Sequence, residues 1–114
     1  MTVKELATAL SLTEFTLPRP DAEISGGYAG DLLSWVMGRA QSGDCWVTIM
    51  SNVNVAAVAL MADVACVLLS EGVTPDPQLL DKAATQEVNL LGSPGSTFQL
   101  SAEVQALLRL SAPF

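Results

Sequence analysis

Short uninterrupted apolar runs alternate along this chain with segments in which apolar residues recur every three or four positions. The runs at 45–50, 64–69 and 88–91 are bounded by turn-forming residues and are shorter than typical helices, so we predict buried strands there. Residues 11–17 and 22–28 are predicted to be extended as well. Strands that are apolar throughout are typical of parallel sheets covered on both faces.

Helical spacing dominates the segments between these runs. Thr2 and Glu5 have the spacing of a capping box, which opens the first helix. Asp31 is predicted to be the N-cap of the second helix. The third helix is apolar on every face, so we expect it to be covered on two sides. The predicted helices span residues 2–10, 32–40, 55–62, 76–87 and the stretch from 98 onward. The second helix is expected to bury a face made of Leu32, Leu33, Val36, Met37 and Ala40.

Alternation of strands and helices from residue 22 onward indicates an α/β fold. A chain of 114 residues is long enough for a hydrophobic core and corresponds to one domain, which we place at 1–114. We therefore predict a single small α/β domain whose mainly parallel sheet of four to five strands is flanked by helices.

The net charge and the composition of the chain argue against some classes of function. The chain has a net charge of −7, and its five cations are scattered, so neutralisation of nucleic-acid phosphates is not expected. Half of the residues are hydrophobic and 15% are charged, which favours self-association. Residues 53–69 are almost wholly apolar, but Asp63 divides them into halves too short to cross a bilayer. With no basic and apolar leader at the N-terminus, we expect a cytoplasmic protein.

Catalytic and metal-binding groups are scarce in the sequence. Cys45 and Cys66 each lie within an apolar run, where a reduced, buried thiol is expected. Two distant cysteines and no histidine do not supply a metal site, so we predict no metal and no cofactor. Without histidine, activation of a serine or cysteine would need Lys4 or Lys82, both predicted to lie on exposed helix faces. We predict no catalytic residues and no enzymatic activity.

The glycine-rich segment at 25–31 leads directly into the second helix. A glycine-rich loop before a helix is the usual cradle for a phosphate. Here no lysine follows and Asp31 carries a negative charge, so a tight turn or a subunit contact is the competing interpretation. Trp35 either anchors that contact or packs in the core. The predicted interface residues are Gly26, Gly27, Tyr28, Gly30, Asp31 and Trp35.

Two other helix starts carry neutral hydrogen-bonding groups and no acid. Because parallel strands bring their carboxyl ends to one edge of a sheet, all three junctions could line a single crevice. Ordinary helix capping is the alternative for each of them. The predicted ligand-binding residues are Thr48, Ser51, Asn52, Asn54, Ser93, Gly95, Ser96 and Thr97.

Taken together, several segments resemble the stand-alone DRTGG domain family. The resemblance lies in SGGYAGDLLS at 25–34, GDCWVTI at 43–49 and NVAAVA at 54–59. It continues at 67–69, 75–76 and 96–100. It implies an α/β domain related to the N-terminal domain of HPr kinase/phosphorylase and to the insert between CBS domains of some inorganic pyrophosphatases. In those proteins the domain is a regulatory or oligomerising module, and no kinase phosphate loop is present here.

This sequence also departs from the family pattern. Residues 23–27 read EISGG and lack the Asp-Arg pair of the family name, and Asn52-Val53 replaces an expected His-Pro. We predict a non-catalytic regulatory or interaction domain that forms a homodimer, with a nucleotide-like or other anionic metabolite as its candidate ligand. The alternative is an assembly protein without a small ligand. The resemblance connects this role to iron-only hydrogenases, because stand-alone members are sometimes encoded near their genes in anaerobic bacteria. An enzyme with an unrecognised site is the third interpretation.

Overall fold

A five-stranded sheet with helices on both faces forms the domain, as a computed structural model that describes residues 1–111 shows. The predicted α/β class and the mainly parallel sheet are confirmed. In chain order the elements are α1 (Val3–Ala9), β1 (Thr13–Thr16), β2 (Gly26–Ala29), α2 (Leu33–Arg39), β3 (Asp44–Thr48), α3 (Asn54–Ala62), β4 (Cys66–Leu69), α4 (Pro77–Thr85), β5 (Leu90–Gly92) and α5 (Thr97–Ser111).

The strands are arranged in the order β1-β5-β4-β3-β2. Strands β2 to β5 are parallel, and β1 pairs with β5 in the antiparallel direction. The register places Gly27 beside Cys45, and Cys45 beside Cys66. Strand β2 is consequently an edge strand, while β3 and β4 are central and completely buried.

Alternating side chains of the central strands supply two separate cores. Trp46 and Val67 point to the face covered by α2, α3 and α4. Cys45 and Leu68 point to the opposite face, where α1 and α5 pack. Burial on both faces explains why these strands are continuous apolar runs rather than alternating ones.

The first helix begins as its sequence predicts. The Thr2 hydroxyl accepts a hydrogen bond from the Glu5 amide, and the Glu5 carboxylate accepts one from the Thr2 amide. The second of these bonds is the larger reason that the pKa of Glu5 lies below its usual value. The capping box therefore fixes the start of α1.

The glycine-rich segment and α2 differ from the prediction. Gly26 and Gly27 belong to strand β2 rather than to a loop. The N-cap of α2 is Leu32, which offers no capping side chain, so the prediction of Asp31 as N-cap is wrong. Of the face expected to be buried, Val36 is buried, whereas Leu32 and Met37 are exposed. The reason is that this short helix contacts the core through a narrow stripe of residues.

Helix α3 is covered on one side and open on the other. Val55 and Ala59 are buried, but Leu60 is 45% exposed and Met61 is 71% exposed, so the expectation of cover on two sides is wrong for this chain by itself. Within residues 1–111, no helix combines the length and the hydropathy that crossing a membrane requires.

Candidate functional site at the carboxyl edge of the sheet

The carboxyl ends of β2, β3, β4 and β5 lie along one edge of the sheet, as their parallel pairing requires. Asp31 lies at this edge, and its Oδ1 atom accepts hydrogen bonds from the Thr48 hydroxyl at 2.8 Å and from the Ile49 amide at 3.0 Å. The carboxylate thus closes the end of β3 instead of capping α2. This contact explains why an acid follows the glycines.

The junction after β2 is held against β3 by further bonds. The indole N–H of Trp46 donates to the carbonyl of Gly30 at 2.9 Å, and the amide of Gly30 donates to the carbonyl of Val47 at 3.1 Å. A side chain at position 30 would begin 3.0 Å from the ring of Tyr28. Glycine therefore avoids a tight contact here, and the segment is a closely packed junction rather than an open phosphate loop.

A second polar group connects β4 to the start of α5. The hydroxyls of Ser70 and Thr97 lie 2.6 Å apart. The Glu71 carboxylate accepts from the amide of Thr97 at 3.0 Å, and the amide of Glu71 donates to the carbonyl of Gly95 at 2.8 Å. The first free amide of α5 is consequently satisfied by an acid of the chain itself.

The remaining predicted ligand residues are engaged in local capping and turns. Asn52 accepts from the amide of Asn54 at 2.9 Å, and Ser51 donates to Asp76 at 3.3 Å. Near β5, Ser93 accepts from the amide of Gly95 at 3.1 Å, and Ser96 accepts from the Gln99 amide at 3.1 Å. All eight predicted residues lie at or beside this edge, and their binding of a ligand stays a prediction. Thr48 is completely buried, so its hydroxyl positions Asp31 and does not face solvent.

Negative charge is concentrated along the same edge. Asp31, Glu71 and Asp76 all accept hydrogen bonds from groups at or just after the end of β3 or at the start of α5. An anion arriving at the amide of Thr97 would compete with the Glu71 carboxylate. The edge as it stands therefore favours neutral or cationic groups over a bare phosphate.

The predicted interface residues lie on β2, on α2 and, for Gly30 and Asp31, on the junction between them. Gly26, Gly27 and Tyr28 belong to the edge strand β2. Trp35 lies on α2 with 52% of its surface exposed, and the guanidinium of Arg39 stacks 3.8 Å from its ring centroid. Core packing, the alternative for Trp35, does not occur within the described chain.

Sequence reasoning missed Ser70 and Glu71. Both directly follow the apolar run that forms β4. The prediction included the polar residues that follow the corresponding run of β3, but not these two. The rule that strand ends converge would have identified them. Glu71 also has a positive φ of 59°, and no sequence pattern at this position indicates that backbone conformation.

Comparison with known proteins agrees with this architecture. The family model for the DRTGG domain matches residues 31–107, which is most of the chain. The chain therefore belongs to the DRTGG domain family. A solved structure with a similar fold contains the CBS and DRTGG domains of the regulatory region of Clostridium perfringens pyrophosphatase, complexed with the activator diadenosine tetraphosphate.

This second likeness is one of fold. The two structures have 13% sequence identity and a TM-score of 0.67, and the match covers 89% of the present DRTGG domain. The domain spans 44% of the pyrophosphatase region. No curated protein sequence matches the chain significantly. The relationship to HPr kinase/phosphorylase stays a prediction.

Proposed function

We propose that this DRTGG domain is a non-catalytic regulatory or interaction domain that acts as a homodimer. The observation that carries the proposal is the exposed apolar surface of α2 and α3, which we call the α2–α3 surface and which consists of Leu32, Trp35, Leu60 and Met61. Leu32 is 57% exposed, and Trp35 and Met61 are more than half exposed. Helices α2 and α3 pack against each other, and large exposed apolar side chains on neighbouring helices are typical of interaction sites.

Charge indicates which partner fits this surface. Helix α3 contains no charged residue, and α2 contains one cation, Arg39, and no acid. The chain as a whole has a net charge of −7, so two copies repel each other across most of their surfaces. Because the two helices themselves contribute no acid, two copies can approach through the α2–α3 surface at a lower electrostatic cost than through acidic parts of the chain. Trp35 then has the character of an interface anchor.

Sedimentation velocity tests the dimer. We expect the wild-type protein at micromolar concentration to have twice the 11.9 kDa monomer mass. The double variant Trp35→Glu/Met61→Glu should become monomeric while its circular dichroism spectrum stays native. Phe98→Glu is the matched control, because Phe98 is 86% exposed on α5, outside the α2–α3 surface, and its replacement should leave the dimer intact. A monomeric wild-type protein would overturn the proposal.

A nucleotide-like metabolite is the second candidate for the regulatory signal. The observation that favours it is the fold neighbour, whose CBS and DRTGG region was crystallised with diadenosine tetraphosphate. The predicted binding residues at the carboxyl edge, among them Asn52, Ser93 and Ser96, would contact the neutral base and ribose of such a ligand, because the acids of this edge disfavour its phosphates. Thermal-shift measurements with mononucleotides and dinucleoside polyphosphates test this, since a ligand of the native state raises Tm.

An assembly role beside an iron-only hydrogenase needs no small ligand. It predicts an unchanged Tm across the nucleotide panel together with a stable complex between the purified domain and the enzyme. A Tm increase of several degrees with one nucleotide, and no complex with the enzyme, would instead support metabolite sensing. The two measurements therefore separate these roles.

A further inference from the structure

A cavity of about 140 Å³ lies between the edge strand β2 and helix α5, on the sheet face opposite α2 and α3. Gly27 and Ala29 form one wall, Cys45 and Val47 of β3 the floor, and Val104 the opposite wall. Gly27 and Ala29 are exposed, whereas Cys45 is completely buried, so the cavity opens to solvent at β2 and closes at the sheet.

Small residues in β2 create this space. A Cβ atom added to Gly27 would meet only the carbonyl oxygen of Cys45, at 3.5 Å, which is an ordinary contact. The packing of the sheet therefore does not require glycine at position 27. Gly30 differs, because a side chain there would press on the ring of Tyr28. The glycine at 27 instead leaves a gap that a valine or threonine, the usual strand residues, would fill.

The chemistry of the lining is neutral. Cys45, Val47 and Val104 provide an apolar floor and wall, and none of the described residues that line the cavity is charged. Two polar side chains of α5, Ser101 and Gln105, face it from the other side. The hydroxyl of Ser101 donates to the carbonyl of Thr97 and keeps its lone pairs available as acceptors.

The backbone of β2 adds hydrogen-bonding groups at the rim. The Gly30 amide points to β3, where it bonds to Val47. Since backbone directions alternate along a strand, the amides of Gly27 and Ala29 point away from β3, on the side where β2 has no neighbouring strand. They are suitably placed to recognise the polar edge of a ligand whose apolar faces lie in the cavity.

We propose that this cavity binds a neutral, planar, single-ring heterocycle, such as a pyrimidine base or nicotinamide. An apolar cavity of about 150 Å³ in another protein accommodates benzene, so the volume fits one six-membered ring. The neutral lining excludes a charged body, and the amide of Gln105 with the rim amides supplies donors and acceptors for ring substituents. This site lies on the opposite face from the α2–α3 surface and is independent of the proposed dimer.

Ligand-observed NMR tests the proposal with cytosine, uracil and nicotinamide at millimolar concentration. We expect saturation transfer to at least one probe in the wild-type protein, with chemical-shift changes at the amides of Ala29 and Gln105. Gly27→Val should weaken this binding at least tenfold by filling the cavity. Gly38→Ala is the control, because a Cβ at Gly38 on α2 meets nothing within 4 Å, and it should bind like the wild type.

Two results would overturn the proposal. One is that none of the three probes binds the wild-type protein. The other is that Gly27→Val, shown to be folded by its native NMR spectrum, binds the probe as tightly as the wild type. Sedimentation of the same samples keeps this outcome separate from the proposed function, because a dimer that binds no heterocycle contradicts the cavity proposal alone.

Discussion

The Thr48 hydroxyl donates a 2.8 Å hydrogen bond to the carboxylate of Asp31, across the boundary between β3 and the glycine-rich junction. Thr48 is completely buried, and the same hydroxyl accepts from the amide of Met50 at 3.1 Å. Asp31 also accepts from Ile49. This pair joins the end of β3 to the chain that leads into α2.

Removing either member of this pair should destabilise the domain. Hydrogen bonds to a charged group contribute about 1.5–3 kcal/mol, so we expect Thr48→Val and Asp31→Ala each to lower the free energy of unfolding by roughly that amount. The double variant should lose less than the sum, with a coupling energy of about 1 kcal/mol or more. Urea denaturation measures all three.

Ser51→Ala is the matched control for this cycle. Its hydroxyl makes a longer 3.3 Å bond to Asp76 at an exposed position, so its loss should cost less than about 0.5 kcal/mol. Equal costs for Ser51→Ala and Thr48→Val would contradict the structural role given to the buried pair.

Gly43 and Gly38 should respond oppositely to the same substitution. Gly43 has a φ of +85°, and an added Cβ would collide with the hydroxyl of Ser25, so Gly43→Ala should cost about 1 kcal/mol or more. Gly38 lies inside α2 with open space around it, so Gly38→Ala should stabilise by about 0.5–1 kcal/mol. Thermal unfolding of the two variants checks the sign, and a shift of Tm in the same direction for both would contradict it.

The apolar runs predicted the sheet well because burial on both faces leaves a direct trace in the sequence. The strands β3, β4 and β5 lie within one or two residues of their predicted ranges. The capping box of Thr2 and Glu5 was equally reliable, since its bonds are made within one helical turn. Local patterns with local causes were predictable.

The candidate site was harder because its contacts join distant segments. Asp31 is a residue type that favours the N-cap position, yet its partners Thr48 and Ile49 lie at the end of β3 and directly after it. Only tertiary packing decides between the two roles. The cavity beside Gly27 depends on α5 returning across the sheet to β2. Neither relationship produces a periodic pattern that can be recognised in a single sequence.

Stability should fall at alkaline pH because of Cys66. The neighbouring Cys45 thiol, which pairs with Cys66 across β3 and β4, and after it burial, raise the pKa of the Cys66 thiol well above its usual value. An unfolded cysteine ionises near about pH 8.5, so above that pH unfolding releases a proton that the folded state retains. The free energy of unfolding should then decrease by up to about 1.4 kcal/mol per pH unit until the folded pKa is reached.

Urea denaturation at pH 7, 8, 9 and 10 measures this dependence. Cys66→Ala removes the titrating group, so its loss of stability between pH 8 and pH 10 should be shallower than that of the wild type. All other ionisable groups are common to both proteins. Identical slopes would show that Cys66 does not contribute.

The negative charge of Glu71 should stabilise the start of α5. Its carboxylate accepts a hydrogen bond from the amide of Thr97, so Glu71→Ala should lower the free energy of unfolding by about 1 kcal/mol. Glu87→Ala is the matched control, because Glu71 and Glu87 both have a φ of 59° and the carboxylate of Glu87 caps no described helix. Alanine keeps the positive φ at both positions, so any effect of this backbone conformation cancels in the comparison.

The same variant tests whether the edge can accept an external anion. With Glu71 removed, the amide of Thr97 and the positive end of α5 are open to solvent, so inorganic phosphate should raise the Tm of Glu71→Ala more than that of the wild type or of Glu87→Ala. Equal Tm increases in all three proteins would mean that the helix start is not the anion-binding position. A larger increase in the wild type would mean that Glu71 contributes to the ligand site instead of occupying it.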